Sequence, residues 1–560
     1  MSYELLIKNG TVVDGSGAPP VRADIAVAQG KIAEIGKITE GAKKVIDASD
    51  LTVTPGFIDH HTHYDAQICW DPVISPSSWH GVTSVIMGNC GVGLAPCKPA
   101  VREIAAWDLV NVEAIPFDVL SQGVTWDWET FPEYMDAADR RGSGINLGFM
   151  APLTPFRHYV MGEESMERAA TPEETSQIAA LLREAMQAGA FGFSTTNGPQ
   201  HIGYQGRPLA CRLASFDELA AYAGVLKGLG RGSIELALND QPGVVTESDY
   251  ALLDHLGTES NRPVTWLAML SRDDQPDVCM ETLRQTESLI QRGIVPQVTC
   301  RPLSVQVNLR NPFIFANLEC WNPAFNKSEE EQTALYRAPE FRQAWRKTFE
   351  QPRVFPGKWD RVDIQEVSNP ALKQYEGKTV DDVARERGKD GLDTFLDLAI
   401  EDNLNIQYVM ALFNADENRV AELITHPNTM IGLSDGGAHV DMLCDAGYCT
   451  YLLGTWVREK QLMPIERAVQ RITSEPARFF GVPNRGVLAE GMAADIAIFD
   501  ATTIGSPRRP EMRHDLPGGG RRLVVPAQGV MHTVVNGEVL YQDQQHTGDL
   551  PGQVLRAGGA

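Results

Sequence analysis

Nowhere in this 560-residue sequence do apolar residues run on long enough to cross a bilayer. Basic residues are outnumbered, 49 Lys and Arg against 73 Asp and Glu, for a formal net charge of -24. A surface of that sign repels phosphate backbones and anionic headgroups, so neither nucleic acid nor membrane is expected as a partner. Cysteine is sparse and irregularly spaced: Cys69, Cys90, Cys97, Cys211, Cys279, Cys300, Cys320, Cys444 and Cys449. An odd number at such spacings in a long chain argues for reduced thiols and against a disulfide framework. The opening MSYELLIKNG lacks the basic segment and apolar core of a secretory signal, so the expected compartment is the cytoplasm. Internal repeats and low-complexity tracts are also missing.

The length exceeds one ordinary compact domain. Residues 1–54 alternate apolar and polar between Asn-Gly, Asp-Gly and Gln-Gly turns, and residues 480–560 repeat the style. Two β-rich ends around a long middle predict one small β-sandwich built from both termini. The middle, 55–479, alternates short apolar strands with amphipathic stretches such as EETSQIAALLREAMQAG and FDELAAYAGVLKGLG. The strands are Gly56–His60, Val82–Gly88, Ile145–Met150, Phe191–Thr195, Ser233–Leu238, Val264–Met269, Val295–Val298 and Met430–Ser434. The fold class is α/β, read as a (β/α)8 TIM barrel; periodicity alone leaves a doubly wound sheet open. Residues 303–375 break the rhythm with an aromatic insertion, expected to be a lid or an oligomer contact.

Three stretches carry chemistry. In PGFIDHHTHYD, residues 55–65, an apolar strand ends in His61-Thr62-His63. Strand residues two apart share a side, so both imidazoles can face one metal at the strand's C-terminal end, where barrel enzymes build their sites. In GLSDGGAHV, residues 432–440, a strand ends in Asp435, with His439 four residues on. That carboxylate can bind a metal weakly and take a proton from activated water; alternatively it caps a turn. In GNCGVGLAPC, Cys90 sits in a Gly-flanked turn after a strand, as a zinc-binding thiolate or as a small buried residue.

The stretches VTPGFIDHHTHYDAQICWDP, HGVTSVIMGNCGVGLAPCKP, AFGFSTT, HPNTMIGLSDGGAH and GVLAEGMAADIAIFD together resemble the amidohydrolase superfamily. More narrowly they look like its N-acyl-D-amino-acid deacylase (D-aminoacylase) group. The resemblance implies a barrel with a β-sandwich, zinc, and hydrolysis of an amide by metal-activated water. By position, His61 and His63 are then first-strand ligands, Cys90 the group's metal-binding cysteine, and Asp435 the eighth-strand acid/base and loose ligand. His439 matches a histidine that the group also carries. The group further places metal-binding histidines at the ends of strands five and six. Here those ends read GSIELALND and RPVTWLAMLS, with Ala237 and Ala268 at the matching positions. Glu235 and Asn239 are the nearest polar alternatives, and neither is taken as a ligand.

One zinc ion per chain is therefore expected, with a small-molecule amide as substrate and a homo-oligomer possible through the insertion. Asp435 is the expected catalytic residue. His439, Arg301 and His201 are the candidate substrate contacts, and Arg157, Arg207 and Lys327 lie near the same predicted rim. Two alternatives stay open. The chemistry serves cyclic amides and carbamates equally well, and the two alanines fit a barrel that has lost catalysis and binds or assembles.

Overall fold

The computed structural model describes residues 3–239 and 241–558. Its centre is a run of short parallel strands. Strand one (Phe57–Asp59) pairs with strand two (Val82–Met87), and strand two with strand three (Asn146–Phe149). Ala151–Pro152 continues strand three and pairs with strand four (Gly192–Thr196), which pairs with strand five (Ser233–Ala237). Strands six (Val264–Leu267), seven (Ile294–Val298) and eight (Met430–Ile431) follow in order. A parallel bridge between Thr62 and Gly436 links the last strand's exit to the first. There the His63 N–H donates to the Gly436 carbonyl at 2.7 Å. All eight expected strands are present, each within a few residues of its expected ends. They are buried on both faces, as parallel strands covered by helices are.

The covering helices start where the sequence supplies caps. Thr171 and Glu174 form a capping box at Pro172–Ala188, and Ser215 and Glu218 form one at Phe216–Leu229. Both helices end on a glycine in the left-handed region, Gly189 and Gly230.

Strands from both chain ends join one nine-stranded sheet. Thr52–Pro55 lies at its middle, parallel to Tyr3–Val12 and antiparallel to Ile496–Phe499. Ile7, Ile25, Val53, Ile496 and Val534 fill its core. One residue, Gly56, separates this sheet from strand one. A Cβ there would meet the Thr83 side chain at 2.1 Å, so only glycine lets the strand start in place. The sheet thus fixes the root of the strand that carries His61 and His63.

The aromatic insertion has a core of its own. Leu303–Val307 and Val362–Glu366 flank Gln407–Phe413 as antiparallel neighbours. Trp321, Tyr336, Trp345 and Phe395 pack beneath them, and this core continues past residue 375 to Met410. Among the described residues no helix is long and apolar enough to cross a membrane.

Candidate metal centre

His61 and His63 lie just beyond the end of strand one, on either side of the Thr62 bridge to Gly436, with ring centroids 5.3 Å apart. Cys90 Sγ lies 3.6 Å from His61 Nε2. Donor atoms of His61, His63 and Cys90 all fall within 4.8 Å of one another. Asp435 Oδ1 is 3.3 Å from His61 Nε2 and 3.4 Å from His63 Nε2. Both histidines and Cys90 are buried, whereas the Asp435 side chain keeps 24% exposure, so it is the member of the group that reaches solvent.

Local backbone aims these groups. Cys90 has φ 55, Asp435 φ 49 and His439 φ 48, a region that costs a non-glycine residue on the order of 1–3 kcal/mol and persists only where the surroundings enforce it. Glu235 Oε2 accepts the Cys90 N–H at 2.7 Å, and Ser194 Oγ accepts the Gly91 N–H at 2.9 Å. Strands four and five thereby clamp the Cys90 turn. Ser434 Oγ lies 2.7 Å from Asp59 Oδ2 and 3.1 Å from the His61 carbonyl, and accepts the Gly436 N–H at 3.0 Å. This ties the Asp435 turn to strand one.

Two glutamates complete the group. Glu113, last residue of the Arg102–Glu113 helix, puts Oε1 3.2 Å from His63 Nδ1. Glu235 Oε1 lies 4.0 Å from His61 Nδ1. Both are buried. Burial pushes the Glu235 carboxyl up to about 7, against the pull of His61. Burial and the charges of Asp435, Asp65 and Glu235 hold Glu113 well above the carboxylate range. Burial and the same glutamates push the Cys90 thiol far up. Burial opposes ionisation of Asp435 too, but His61 and His63 hold it well below its usual value. Burial alone would lower His61; Asp435 and Glu235 raise it. Among the described residues, none of these three carboxylates pairs with Lys or Arg. Three carboxylates and a thiol around two imidazoles, open to solvent only at Asp435 and without a Lys or Arg partner among the described residues, suit a divalent metal ion, and His₂Cys with a loose carboxylate suits zinc.

The remaining expected site residues divide. The His439 N–H donates to the Glu113 carbonyl at 2.5 Å, which places it at the group's edge. His201 Nδ1 is 2.7 Å from Thr196 Oγ1; burial, helped by His439 and His63, lowers it to about 4. Arg301 is committed elsewhere. It is 4% exposed, with Nε 3.0 Å from Asp445, Nη1 2.7 Å from Ser506 Oγ, and its guanidinium 4.9 Å above the Tyr451 ring. Arg157 is locked on buried Glu218, while Arg207 pairs with Glu163 and Lys327 with Glu331. Ala237 closes strand five with no donor to offer. Glu113 and Glu235 are not marked as site residues by any motif or spacing in the sequence. The only local signal for either is a carboxylate inside an apolar run, VNVEAI and SIELAL.

A model of the amidohydrolase family matches residues 44–309 and 330–541. The chain belongs to the amidohydrolase family. D-aminoacylase of Alcaligenes xylosoxydans xylosoxydans is 30% identical over 560 residues, covering 99% of this chain and 97% of that protein. An uncharacterized protein of Mycobacterium tuberculosis is 28% identical, covering 100% and 96%. The crystal structure of N-acyl-D-glutamate deacylase from Bordetella bronchiseptica, complexed with zinc and a phosphonate inhibitor, matches at TM-score 0.65. It has 24% identity and both chains are covered in full.

Proposed function

We propose that this chain is a metal-dependent deacylase of N-acyl-D-amino acids or close analogues, on a (β/α)8 barrel whose companion sheet is built from 1–54 and 480–560. The observation that carries the reading is the donor triangle of His61, His63 and Cys90, with Asp435 Oδ1 within 3.4 Å of both ring Nε2 atoms. One zinc ion fits that triangle. When bound, the ion supplies Lewis acidity toward water and the amide carbonyl. Asp435, ionised and solvent-facing, accepts the attacking water's proton and returns it to the leaving nitrogen. His61, His63 and Cys90 hold their donor atoms convergent, and the Ser434–Asp59 contact keeps the Asp435 turn against strand one.

The test is metal content per chain in protein purified without chelator, together with hydrolysis of a panel of N-acyl-D-amino acids. Near-stoichiometric zinc and turnover on that panel support the proposal; no bound metal overturns it. A second reading, hydrolysis of an uncharged cyclic amide or carbamate, is favoured by one observation. Arg157 and Arg301, the buried candidates for a substrate carboxylate, are already spent on Glu218 and Asp445. Turnover of cyclic imides without turnover of acyl amino acids would select it.

A further inference from the structure

The two ring histidines have the same arrangement. In each, Nε2 faces Asp435, and His61 Nε2 also faces Cys90, while Nδ1, on the other side of the ring, faces a buried glutamate. Glu113 Oε1 is 3.2 Å from His63 Nδ1 and Glu235 Oε1 is 4.0 Å from His61 Nδ1. His61 Nδ1, His63 Nδ1 and Glu235 Oε1 are all sealed and lack a completed hydrogen bond in this structure. A second contact holds the main chain at Glu113 and the carboxylate itself at Glu235. The Glu113 carbonyl accepts the His439 N–H, and Glu235 Oε2 accepts the Cys90 N–H. Neither has a Lys or Arg partner among the described residues.

We infer that Glu113 and Glu235 are positioning residues for the metal centre. Each accepts the Nδ1–H of one histidine, fixing the tautomer and ring angle that present Nε2 to the ion. A carboxylate behind a ligating imidazole is a general device for raising ligand basicity and holding the ring. Here it comes from parts of the chain remote from the ligands, the end of the Arg102–Glu113 helix and the middle of strand five. Glu235 also faces two of these residues, with Oε1 4.0 Å from His61 Nδ1 and Oε2 on the Cys90 N–H, so strand five reaches the centre without supplying a metal donor.

This inference rests on the metal reading above, and the experiment separates the two. Zn²⁺ affinity of the metal-stripped full chain is measured by competition with a chromogenic chelator, and the visible spectrum of the Co²⁺-loaded protein is recorded. The proteins are wild type, Glu113→Ala, Glu113→Gln and the same pair at Glu235. The alanine variants are expected to bind Zn²⁺ about 10- to 100-fold more weakly with an altered Co²⁺ spectrum. The glutamine variants, which keep an acceptor oxygen, are expected to recover most of both. Should an alanine variant not fold, Glu113→Asp, which withdraws the carboxylate by one methylene, must show the loss that Glu113→Gln does not. Folded variants with wild-type affinity and spectrum overturn the positioning role and leave the metal reading standing. A wild type that binds neither ion overturns both.

Discussion

Glu218 and Glu235 are both sealed from solvent, one on a helix and one in the middle of strand five, but they are held differently. The Glu218 carboxylate takes the Arg157 guanidinium, the Tyr222 hydroxyl at 3.0 Å, and the N–H groups of Ala170 at 2.8 Å and Ser215 at 3.1 Å. His80, equally buried, sits in the same kind of closed arrangement, with Thr450 Oγ1 at 2.8 Å and the Val525 carbonyl at 2.9 Å. Glu235 has one N–H on one oxygen and an imidazole 4.0 Å from the other. For Glu218 and His80 the scaffold supplies every partner from within, which is how interiors normally tolerate buried polar groups. The strand-end cup leaves donor atoms facing one another and has no Lys or Arg partner among the described residues, an arrangement that a bound cation would relieve.

This contrast can be broken most severely inside the cup. His61→Ala/His63→Ala is expected to abolish bound metal and to lower kcat/KM by about 10³-fold or more, since Lewis-acid assistance is worth several kcal/mol. Elemental metal content and turnover read this directly, and an active double variant would end the comparison. Asp435→Asn should keep the metal but lose about 10²- to 10⁴-fold in kcat, the usual range for an acid/base group. The pH profile of turnover in the variant checks that the loss is of proton transfer.

The scaffold side responds in stability, not metal. Glu218→Gln leaves the Arg157 charge buried with only carbonyl partners and should cost about 3–5 kcal/mol in denaturant unfolding, with metal content per folded chain unchanged. The smallest effect is at His80, which burial lowers to about 4. The unfolded chain takes up this proton near pH 6.5 and the folded chain only near 4. Stability from His80 is therefore present above pH 6.5 and lost as pH falls toward 4, at up to about 1.4 kcal/mol per pH unit. In His80→Gln the slope of unfolding free energy between pH 6.5 and 4 should be shallower by that amount.

Much of this was legible in the chain. The eight strands followed from short apolar runs between turns, and HxH after the first of them marked the two imidazoles that converge, although the strand itself ends at Asp59. Cys90 and Asp435 were marked by glycine-flanked turns at strand ends, where a left-handed backbone is in fact found. Arg301 shows where local reading fails. It lies just beyond a strand end, yet Asp445 and Ser506, more than 140 residues away, take up its guanidinium. Glu113 shows the opposite failure. A carboxylate at the end of a helix ordinarily faces water, and nothing within that helix says that His63 lies 3.2 Å from it.

Groups placed by neighbours within a few residues could therefore be read directly from the chain: the strand-end histidines, the cysteine turn and the aspartate turn. What each buried charge meets depends instead on the packing of distant segments. Taking a carboxylate out of water is unfavourable until a partner is supplied, and the partner comes from whichever segment the fold packs against it. For Glu218 that segment carried an arginine and made a brace. For Glu113 and Glu235 it carried an imidazole and made the back wall of the cup.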